Sequence, residues 1–289
     1  MNLKLESLLD QGSRFLIQRG FEPRDAKREA ERLLAFSLRI SKSEIFQNPS
    51  SVETSTERDF LSFLEKRARH VPLQYLEGET DFMDFPFRVT PDVLIPRPET
   101  ENLVERILVE RSLPSKILDI GTGSGCILLS LLKYFQNASG VGIDISEKAL
   151  EVARENAQRL GVTNRVSFQK ADLLNNFSGS GFDLIVSNPP YVSEEEWESL
   201  SAEVKQEPRG ALIAGPTGLE CYEKIIAKAA KFLVPGGKIF FEVGWNQADQ
   251  VSGMLSGAGF ENVQKFSDDF GIERIIVACH PERSEGSAS

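Results

Sequence analysis

The sequence predicts an α/β protein in which helices alternate with the strands of a mostly parallel sheet, preceded by a small bundle of helices and a linking β-hairpin. Apolar residues at helical spacing dominate up to about residue 70. Aromatic and β-branched residues with turn formers between them follow, up to Ile95. From Lys116 onward, short apolar runs alternate with amphipathic stretches, and strands that are separated by helices imply a mostly parallel sheet.

Residues 1–71 are predicted to form a helical domain. The polar faces of its helices carry many cations, which are expected to be either solvated or part of a docking surface for a protein partner. These cations are Arg24, Lys27, Arg28, Arg32, Lys66 and Arg67. The predicted elements are a helix from Leu3 to a stop at Gly20, a helix from Pro23 to about Leu38, a turn at Ser43 to Phe46 that Pro49 ends, and a helix from about Thr56 to Arg69.

Residues 72–97 are predicted to be a β-hairpin linker, and residues 98–280 the catalytic domain. The polar segment 281–289 is expected to be a disordered tail. In the domain, helices are expected from Pro98 to about Arg111, to about Phe135, and over Ser146–Leu160, Thr217–Leu233 and Gln247–Ser256. Strands are expected at Lys116–Ile120, Val141–Ile143, Arg165–Gln169, Asp183–Ser187, Lys238–Val243, Val263–Phe266 and Arg274–Ala278, with one of the final pair antiparallel.

Composition restricts the possible functions. The 289 residues suffice for one large domain, or for a main domain with a small one. The net charge of −10 argues against a protein that depends on phosphate contacts, because nucleic-acid binders usually carry a basic footprint. Apolar runs stay well short of the roughly 20 residues of a membrane helix, and the amino terminus lacks the apolar core of a signal peptide. We therefore expect a cytoplasmic protein.

The cysteines and histidines do not predict a metal site. Cys126, Cys221 and Cys279 are far apart and show no metal or redox spacing. The chain has only two histidines, too few for a site built on imidazoles. We expect reduced, buried cysteines and no metal.

The stretch from Asp183 to Tyr191 is the candidate catalytic motif. Its apolar run predicts a buried strand that stops at two prolines. Pro189 and Pro190 lack a backbone N–H, so the turn is stiff and rich in carbonyl acceptors, and Asn188 adds a side-chain carbonyl. Neutral acceptors suit an uncharged NH2 group. For an Asn-Pro pair alone, an ordinary strand end is the alternative, but the full Asn188 to Tyr191 run resembles the signature of methyltransferases that act on planar amino or amide nitrogens.

A glycine-rich loop follows the first strand of the predicted sheet, where small ligands bind in such folds. Asp144 ends the next strand and is expected to bind ribose hydroxyls. Asp172 ends the third and is expected to reach an adenine amino group, with Leu173 against the ring; a helix cap or a solvated turn is the alternative for either aspartate. The loop and the residue before it comprise Asp119, Gly121, Thr122, Gly123, Ser124 and Gly125.

Two features of this loop disfavour a dinucleotide cofactor. The glycines follow Gly-x-Gly-x-Gly rather than Gly-x-Gly-x-x-Gly. The charge of Asp119, directly before the loop, would also repel a pyrophosphate. A sulfonium ligand has no phosphate and carries a positive charge, which an aspartate tolerates or favours. Together with the Asn188 to Tyr191 run, the loop predicts S-adenosylmethionine as the cofactor.

Five segments that span most of the chain resemble those of the release-factor glutamine methyltransferases, which modify the glutamine of the Gly-Gly-Gln motif in bacterial-type peptide chain release factors. In one departure, the family's usual Asp-Gly pair is Thr217-Gly218 here. The segments are Pro72 to Gly78, Val93 to Glu101, Asp119 to Gly125, Asn188 to Tyr191, and Glu207 to Leu212.

The resemblance implies a Rossmann-like class I S-adenosylmethionine-dependent methyltransferase fold, with the helical bundle gripping the release factor. We expect a monomer that binds neither nucleic acid directly nor a membrane. The implied catalytic residues are Asn188, Pro189, Pro190 and Tyr191, and Asn188 is also placed beside the cofactor. The Asn188 side chain and the Pro189 carbonyl would accept the two N–H bonds of the amide. Tyr191 would pack on its flat face, or be a core aromatic.

Two other functions are compatible with these motifs. An adenine or cytosine amino methyltransferase would use the same turn, because an aromatic NH2 presents the same two donors. A non-catalytic module would bind the cofactor without turnover. Arg97 and Glu99 are expected either to pair and shape the pocket wall or to have a purely structural role.

Overall fold

A computed structural model describes residues 3–47, 54–110 and 113–282. The predicted stop at Pro49 lies outside these residues, as does the predicted tail from residue 283 onward. No helix in the described part of the chain is long and apolar enough to cross a bilayer.

The chain divides into two compact units. The first consists of Met1–Gly78 together with Ser201–Gln206, and the second of Glu79–Leu200 together with Glu207–Ser289. A short segment from the middle of the chain therefore belongs to the unit that the amino-terminal helices form.

The first unit is helical, as the apolar spacing predicts. Leucine faces of its longer helices meet in one core around Phe60. Gly12 allows the close approach, because a Cβ at this position would lie 2.7 Å from the Phe60 ring. The predicted turn at Ser43 to Phe46 is instead part of a short helix, and a further short helix replaces the first residues of the predicted hairpin segment. The helices are α1 (Leu3–Ile17), α2 (Pro23–Leu38), α3 (Lys42–Gln47), α4 (Thr54–Arg67) and α5 (Leu73–Glu77).

Arg67, at the end of α4, is buried rather than part of a solvated face. Its guanidinium donates to both oxygens of Glu29, at 2.5 and 2.9 Å, and to Glu203 at 2.6 Å. It also donates to the carbonyl of Val71 at 3.1 Å. These hydrogen bonds give Arg67 a structural role, because they join α2, α4 and the segment around Glu203 within the first unit.

The second unit begins with a β-hairpin of β1 (Glu79–Phe82) and β2 (Phe85–Arg88). Its two-residue turn, Met83 and Asp84, has φ of 51° and 62°, as a type I′ hairpin requires. Phe82 and Phe87 pack edge to face and enter a core formed with the helices that follow. The hairpin prediction is confirmed for these residues.

The sheet of the second unit has the strand order β10-β11-β9-β6-β3-β4-β5. Strands β3, β4, β5, β6 and β9 are mutually parallel, and β11 runs antiparallel to both β9 and β10, which confirms the mixed sheet predicted. The strands are β3 (Lys116–Ile120), β4 (Ser139–Asp144), β5 (Val166–Lys170), β6 (Phe182–Ser187), β9 (Leu233–Glu242), β10 (Glu261–Ser267) and β11 (Glu273–Cys279), and a small separate pair comprises β7 (Val192–Ser193) and β8 (Ile213–Gly215).

Helices cover both faces of the sheet, because its strands are apolar on both sides. One core lies between the sheet and α6, α7 and α8, and the other between the sheet and α9 and α10. The carboxyl ends of β3, β4 and β6 meet at one edge, and the loops that follow them form the site described below. The helices are α6 (Pro98–Leu108), α7 (Cys126–Tyr134), α8 (Glu147–Arg159), α9 (Glu220–Ala229) and α10 (Ala248–Gly257).

Candidate functional site

A cavity of about 260 Å³ opens at the carboxyl-terminal edge of the parallel strands. Sheet register brings its parts together: Ile120 of β3 lies between Ile143 of β4 and Ser187 of β6. The next residue on each strand is therefore Gly121, Asp144 or Asn188, and all three line the cavity. The cavity is where small ligands bind in open parallel sheets.

The glycine-rich loop forms one wall. Gly121, Gly123 and Gly125 have φ of 74°, 54° and 81°, which only glycine adopts readily. A Cβ on Gly121 would meet no atom within 4 Å. The space that a side chain would occupy at this position is therefore open to a ligand. The N–H groups of Gly121 and Thr122 donate to the carbonyl of Ile143 at 2.8 and 3.0 Å, which fixes the loop to the end of β4.

Asp119 lies beneath the loop and is fully buried. It does not line the cavity, although the sequence placed it among the cofactor contacts. Its Oδ2 accepts a hydrogen bond from the Thr122 hydroxyl at 2.6 Å, and its Oδ1 has no partner among the described residues. Burial raises its pKa to about 7, and the hydrogen bond from Thr122 opposes this rise. Ser124 is buried as well. These side chains are placed to shape the loop from below.

Asp144 lines the cavity at the end of β4. Its Oδ2 accepts from the N–H of Gly123 and its Oδ1 from the N–H of Ser146, both at 2.9 Å. Burial raises its pKa, and these two backbone N–H groups oppose the rise. An ionised carboxylate has about four acceptor sites, so Asp144 can anchor the loop and still accept from a ligand hydroxyl.

Asp172 and Leu173 lie on the next wall, after β5. The Asp172 side chain is exposed and accepts from Asn175 Nδ2 at 3.1 Å. Leu173 adopts φ of 51°, which is uncommon for a residue with a side chain and often accompanies a functional site. Both line the cavity, together with Ile145, which is 62% exposed. The wall therefore offers one carboxylate between apolar surfaces.

The Asn188 turn closes the cavity beside the loop. Asn188 and Pro190 line the cavity, while Pro189 is buried. The Ser187 hydroxyl donates to the Ile120 carbonyl at 2.6 Å and ties the end of β6 to β3. Asn188 Nδ2 donates to the hydroxyl of Thr100, at the start of α6, at 3.1 Å. The turn thus combines a stiff backbone with an asparagine whose NH2 group is engaged away from the cavity.

Tyr191 packs against the core and does not line the cavity. Burial, together with the charge of Glu242, raises its pKa to about 12. Its carbonyl accepts from Gln247 Nε2 at 3.0 Å, and the same nitrogen donates to the Gly218 carbonyl at 3.2 Å. A Cβ on Gly218, where φ is 81°, would lie 2.5 Å from the Tyr191 carbonyl oxygen. The backbone after the turn therefore depends on glycine at position 218.

Thr217, the departure from the family pattern, acts at the start of α9. Its N–H and its hydroxyl donate to Glu220 Oε1 at 2.8 and 2.9 Å. These hydrogen bonds are local to the helix start, and Thr217 does not line the cavity.

Of the two alternatives for Arg97 and Glu99, the one in which these residues pair with each other is wrong. Arg97 forms its ion pair with Glu207, which is 4% exposed. Glu207 also accepts from the N–H of Ile95 at 3.0 Å. One buried carboxylate thus joins two of the segments that carry the family resemblance, and Arg97 is the cation that neutralises it.

Several cavity residues were not predicted as site residues. Ile145 directly follows Asp144 in the sequence, so it could have been predicted as a neighbour of the cofactor. Lys224 gave no local signal, because it lies on a helix that only the fold brings to the cavity. The unpredicted lining residues also include Asp92, Val93, Leu94, Ser146, Ala149, Ala171, Pro208, Gly210, Ala211, Ile213 and Cys221.

A second, smaller cavity of about 190 Å³ lies at the opposite edge of the sheet. Asp183 at the start of β6 and Pro235 to Lys238 in β9 are among its lining residues. Because ligands bind at the carboxyl ends of the strands in such sheets, the larger cavity is the candidate site.

Comparisons with known proteins identify the fold and the family. A family model described as "Methyltransferase domain" matches residues 114–268, and one described as "PrmC N-terminal domain" matches residues 7–78. A crystal structure of a methyltransferase from Pyrococcus furiosus matches with a TM-score of 0.55, over 75% of this chain and 98% of that one, at 19% identity. The predicted Rossmann-like class I methyltransferase fold is confirmed.

Curated relatives match over nearly the whole chain. The release factor glutamine methyltransferase of Geobacter sulfurreducens is 37% identical over 274 residues, which cover 94% of this chain and 95% of that protein. The one of Nitratidesulfovibrio vulgaris is 40% identical over 263 residues, which cover 88% of each.

Proposed function

Because this chain belongs to the release factor glutamine methyltransferases, we propose that it methylates the glutamine in the Gly-Gly-Gln motif of peptide chain release factors, on the side-chain amide nitrogen, and so modulates translation termination. The observation that carries the proposal is the position of Asn188. Asn188 lines the cavity, level with the glycine-rich loop, and its NH2 group is bound to Thr100. The amide oxygen is therefore available to accept from an NH2 group.

The cavity fits S-adenosylmethionine, the methyl donor of this family. Gly121 and Gly123 leave open space along one wall. Asp144 would accept from the ribose hydroxyls, and Asp172 would reach the adenine amino group, with Leu173 against the ring. When bound there, S-adenosylmethionine would supply the methyl group from its positively charged sulfur, with the S–CH3 bond broken and the neutral thioether S-adenosylhomocysteine as the leaving group.

Asp119 has a different part in this proposal from the contact that the sequence suggested. Its burial and its hydrogen bond to Thr122 support a role in holding the loop that carries Gly121, Thr122, Gly123, Ser124 and Gly125. Above its raised pKa, its negative charge would act on the cofactor from beneath the loop and not by direct contact.

The chemical difficulty is the poor nucleophilicity of the substrate amide, whose lone pair is delocalised into the carbonyl, as its rotation barrier of roughly 18–20 kcal/mol indicates. The Asn188 oxygen and the Pro189 carbonyl would accept its two N–H bonds and turn the nitrogen toward the methyl group. They would also favour the positive charge that develops on this nitrogen as the new N–C bond forms. One proton then leaves to water, so no strong base is required. Pro190 stiffens the turn.

Tyr191 would lie on the side of this turn that faces the substrate. Its carbonyl is held by Gln247. Its ring packs against the core but is only partly buried, and the part outside the core would pack on the flat face of the amide when the glutamine enters. The packing of the ring against the core supports a fixed position rather than a mobile one.

The amino-terminal unit would grip the release factor. The match of residues 7–78 to a family-specific amino-terminal domain supports this role. We propose a cytoplasmic enzyme that acts as a monomer on a protein substrate and contacts neither nucleic acid directly nor a membrane, in keeping with its net charge of −10.

The proposal is tested by methyl incorporation from labelled S-adenosylmethionine into purified release factor and into the same factor with Gly-Gly-Gln changed to Gly-Gly-Ala. We expect label in the first and background in the second, with mass spectrometry placing the methyl group on the glutamine. Equal labelling of the two factors would refute the glutamine assignment. Labelling of DNA or ribosomal RNA instead would favour an amino methyltransferase of nucleic acid.

A further inference from the structure

Two buried polar residues lie behind Asn188, on the side away from the cavity. Thr100, in the first turn of α6, is 3% exposed, and Glu242, the last residue of β9, is 4% exposed. In the parallel pairing of β6 with β9, Ser187 lies opposite Phe241, so Asn188 and Glu242 follow at the same level on adjacent strands. Neither Thr100 nor Glu242 touches the cavity, so a function for them has to act through Asn188.

The three side chains form a polar chain that runs from Asn188 through Thr100 to Glu242, and a hydrogen bond joins its first two members. Asn188 Nδ2 donates to Thr100 Oγ1 at 3.1 Å. Burial raises the pKa of Glu242 to about 7, and hydrogen bonds from Thr100 and Asn188, together with the charge of Arg274, oppose the rise. Oε2 of Glu242 is buried and has no partner among the described residues. Removing a carboxylate from water is costly, so a glutamate is unusual at a buried strand position that could carry an apolar residue.

The chemistry of the carboxylate sets the direction of this chain. An ionised carboxylate accepts hydrogen bonds and has none to donate. Above its raised pKa Glu242 is ionised, and we assign the single O–H of the Thr100 hydroxyl to this carboxylate as its donor. The hydroxyl oxygen is then left as an acceptor, and of the two ends of the Asn188 amide only the NH2 group can satisfy it.

We propose that Thr100 and Glu242 are positioning residues that hold the Asn188 amide with its oxygen toward the substrate. This inference rests on the proposed function, since it supplies the acceptor that the glutamine NH2 group needs. With the amide reversed, Asn188 would present N–H groups to the N–H groups of the substrate. Two donors would then face each other in a desolvated site, and the substrate nitrogen would lose both its orientation and its stabilisation.

A pair of substitutions at Thr100 isolates the hydroxyl. Thr100→Val keeps the shape and removes the acceptor, and Thr100→Ser keeps the acceptor. Methylation of purified release factor is measured for each, with kcat, KM for both substrates, and the Kd for S-adenosylhomocysteine. We expect Thr100→Val to lower kcat by about tenfold or more, as the loss of one preorganised polar contact does, with the Kd changed by less than about twofold. Thr100→Ser is expected to restore most of kcat.

Glu242→Gln tests the direction of the chain without relying on Thr100. A glutamine donates as well as accepts, so it permits Thr100 to donate to the Asn188 oxygen and the amide to reverse. We expect a loss of kcat similar to that of Thr100→Val. Wild-type kcat in both Thr100→Val and Glu242→Gln would overturn the inference. So would equal losses in Thr100→Val and Thr100→Ser, because those would indicate a requirement for packing alone.

Failure of the proposed function gives a different result. If the wild-type enzyme methylates a nucleobase NH2 group instead of glutamine, the same variant ratios on that substrate still test the positioning of Asn188. If it methylates no NH2 group at all, the inference falls together with the proposed function.

Discussion

Replacement of Glu242 by glutamine is expected to stabilise the protein above neutral pH while it impairs turnover. Glu242 has an ordinary pKa of 4.5 in the unfolded chain and about 7 in the fold, where burial is the main cause. The folded protein therefore binds more protons than the unfolded chain between these values. The contribution of Glu242 to the free energy of unfolding consequently falls as the pH rises from about 4.5 to 7 and is level above that range.

The size of this effect follows from the two pKa values. They differ by about 2.5, and each pKa unit corresponds to about 1.4 kcal/mol, so ionised Glu242 costs on the order of 3 kcal/mol above neutral pH. Glutamine carries no charge to bury. The difference in unfolding free energy between Glu242→Gln and the wild type is expected to grow by about 2 kcal/mol between about pH 5.5 and 8.5, in favour of the variant.

Equilibrium urea unfolding at a series of pH values measures this difference. Asp119 also has a pKa raised to about 7, but it is present in both proteins and cancels in the comparison. Arg274 and Glu99 act on Glu242 and are retained in both as well. A difference in unfolding free energy between Glu242→Gln and the wild type that stays constant from pH 5.5 to 8.5 would refute the reasoning. So would a variant that loses stability relative to the wild type as the pH rises.

Three further predictions follow from the site and the first unit. Asn188→Ala is expected to lower kcat by about 10²-fold or more with a smaller change in cofactor Kd; wild-type turnover would remove this residue from the mechanism. Gly218→Ala is expected to lower stability by about 1–3 kcal/mol, because φ is 81° and the new Cβ would lie 2.5 Å from the Tyr191 carbonyl oxygen; an unchanged melting temperature would contradict this. Arg67→Met is expected to cost about 3–5 kcal/mol, since it leaves carboxylates unpaired around a buried position; a loss below about 1 kcal/mol in urea unfolding would contradict it.

Two substitutions serve as matched controls. Gly253→Ala, in α10, places its Cβ in open space and is expected to leave stability unchanged or to raise it, since alanine favours helices. Arg14→Met removes an exposed ion pair whose partners are 76% and 75% exposed. Such a pair contributes about 0–1 kcal/mol.

The sequence predicted those features that local chemistry determines. Two adjacent prolines after an apolar run can only end a strand, and glycines between a strand and a helix form a ligand-binding turn. Asp144 was predicted to bind the cofactor because it ends the next strand, and the family resemblance placed Asn188 beside the cofactor; both residues line the cavity.

Features that depend on distant partners were not predictable. Arg97 and Glu207 are 110 residues apart in sequence, and any of several acidic residues could have paired with this arginine. Arg67 carries the same charge as its exposed neighbours, and only the fold buries it. Glu242 sits in an apolar strand where the pattern indicates a core position, and its link to Asn188 depends on which strands are adjacent.

The segment Ser201–Gln206 bears on how this protein can be divided. The polypeptide passes from one unit to the other after Gly78, again after Leu200 and once more after Gln206. A fragment beginning at Glu79 would therefore retain Ser201–Gln206 but lack Arg67, which binds Glu203 in that segment. Exchanging the amino-terminal helices between relatives therefore requires transplanting Ser201–Gln206 along with them.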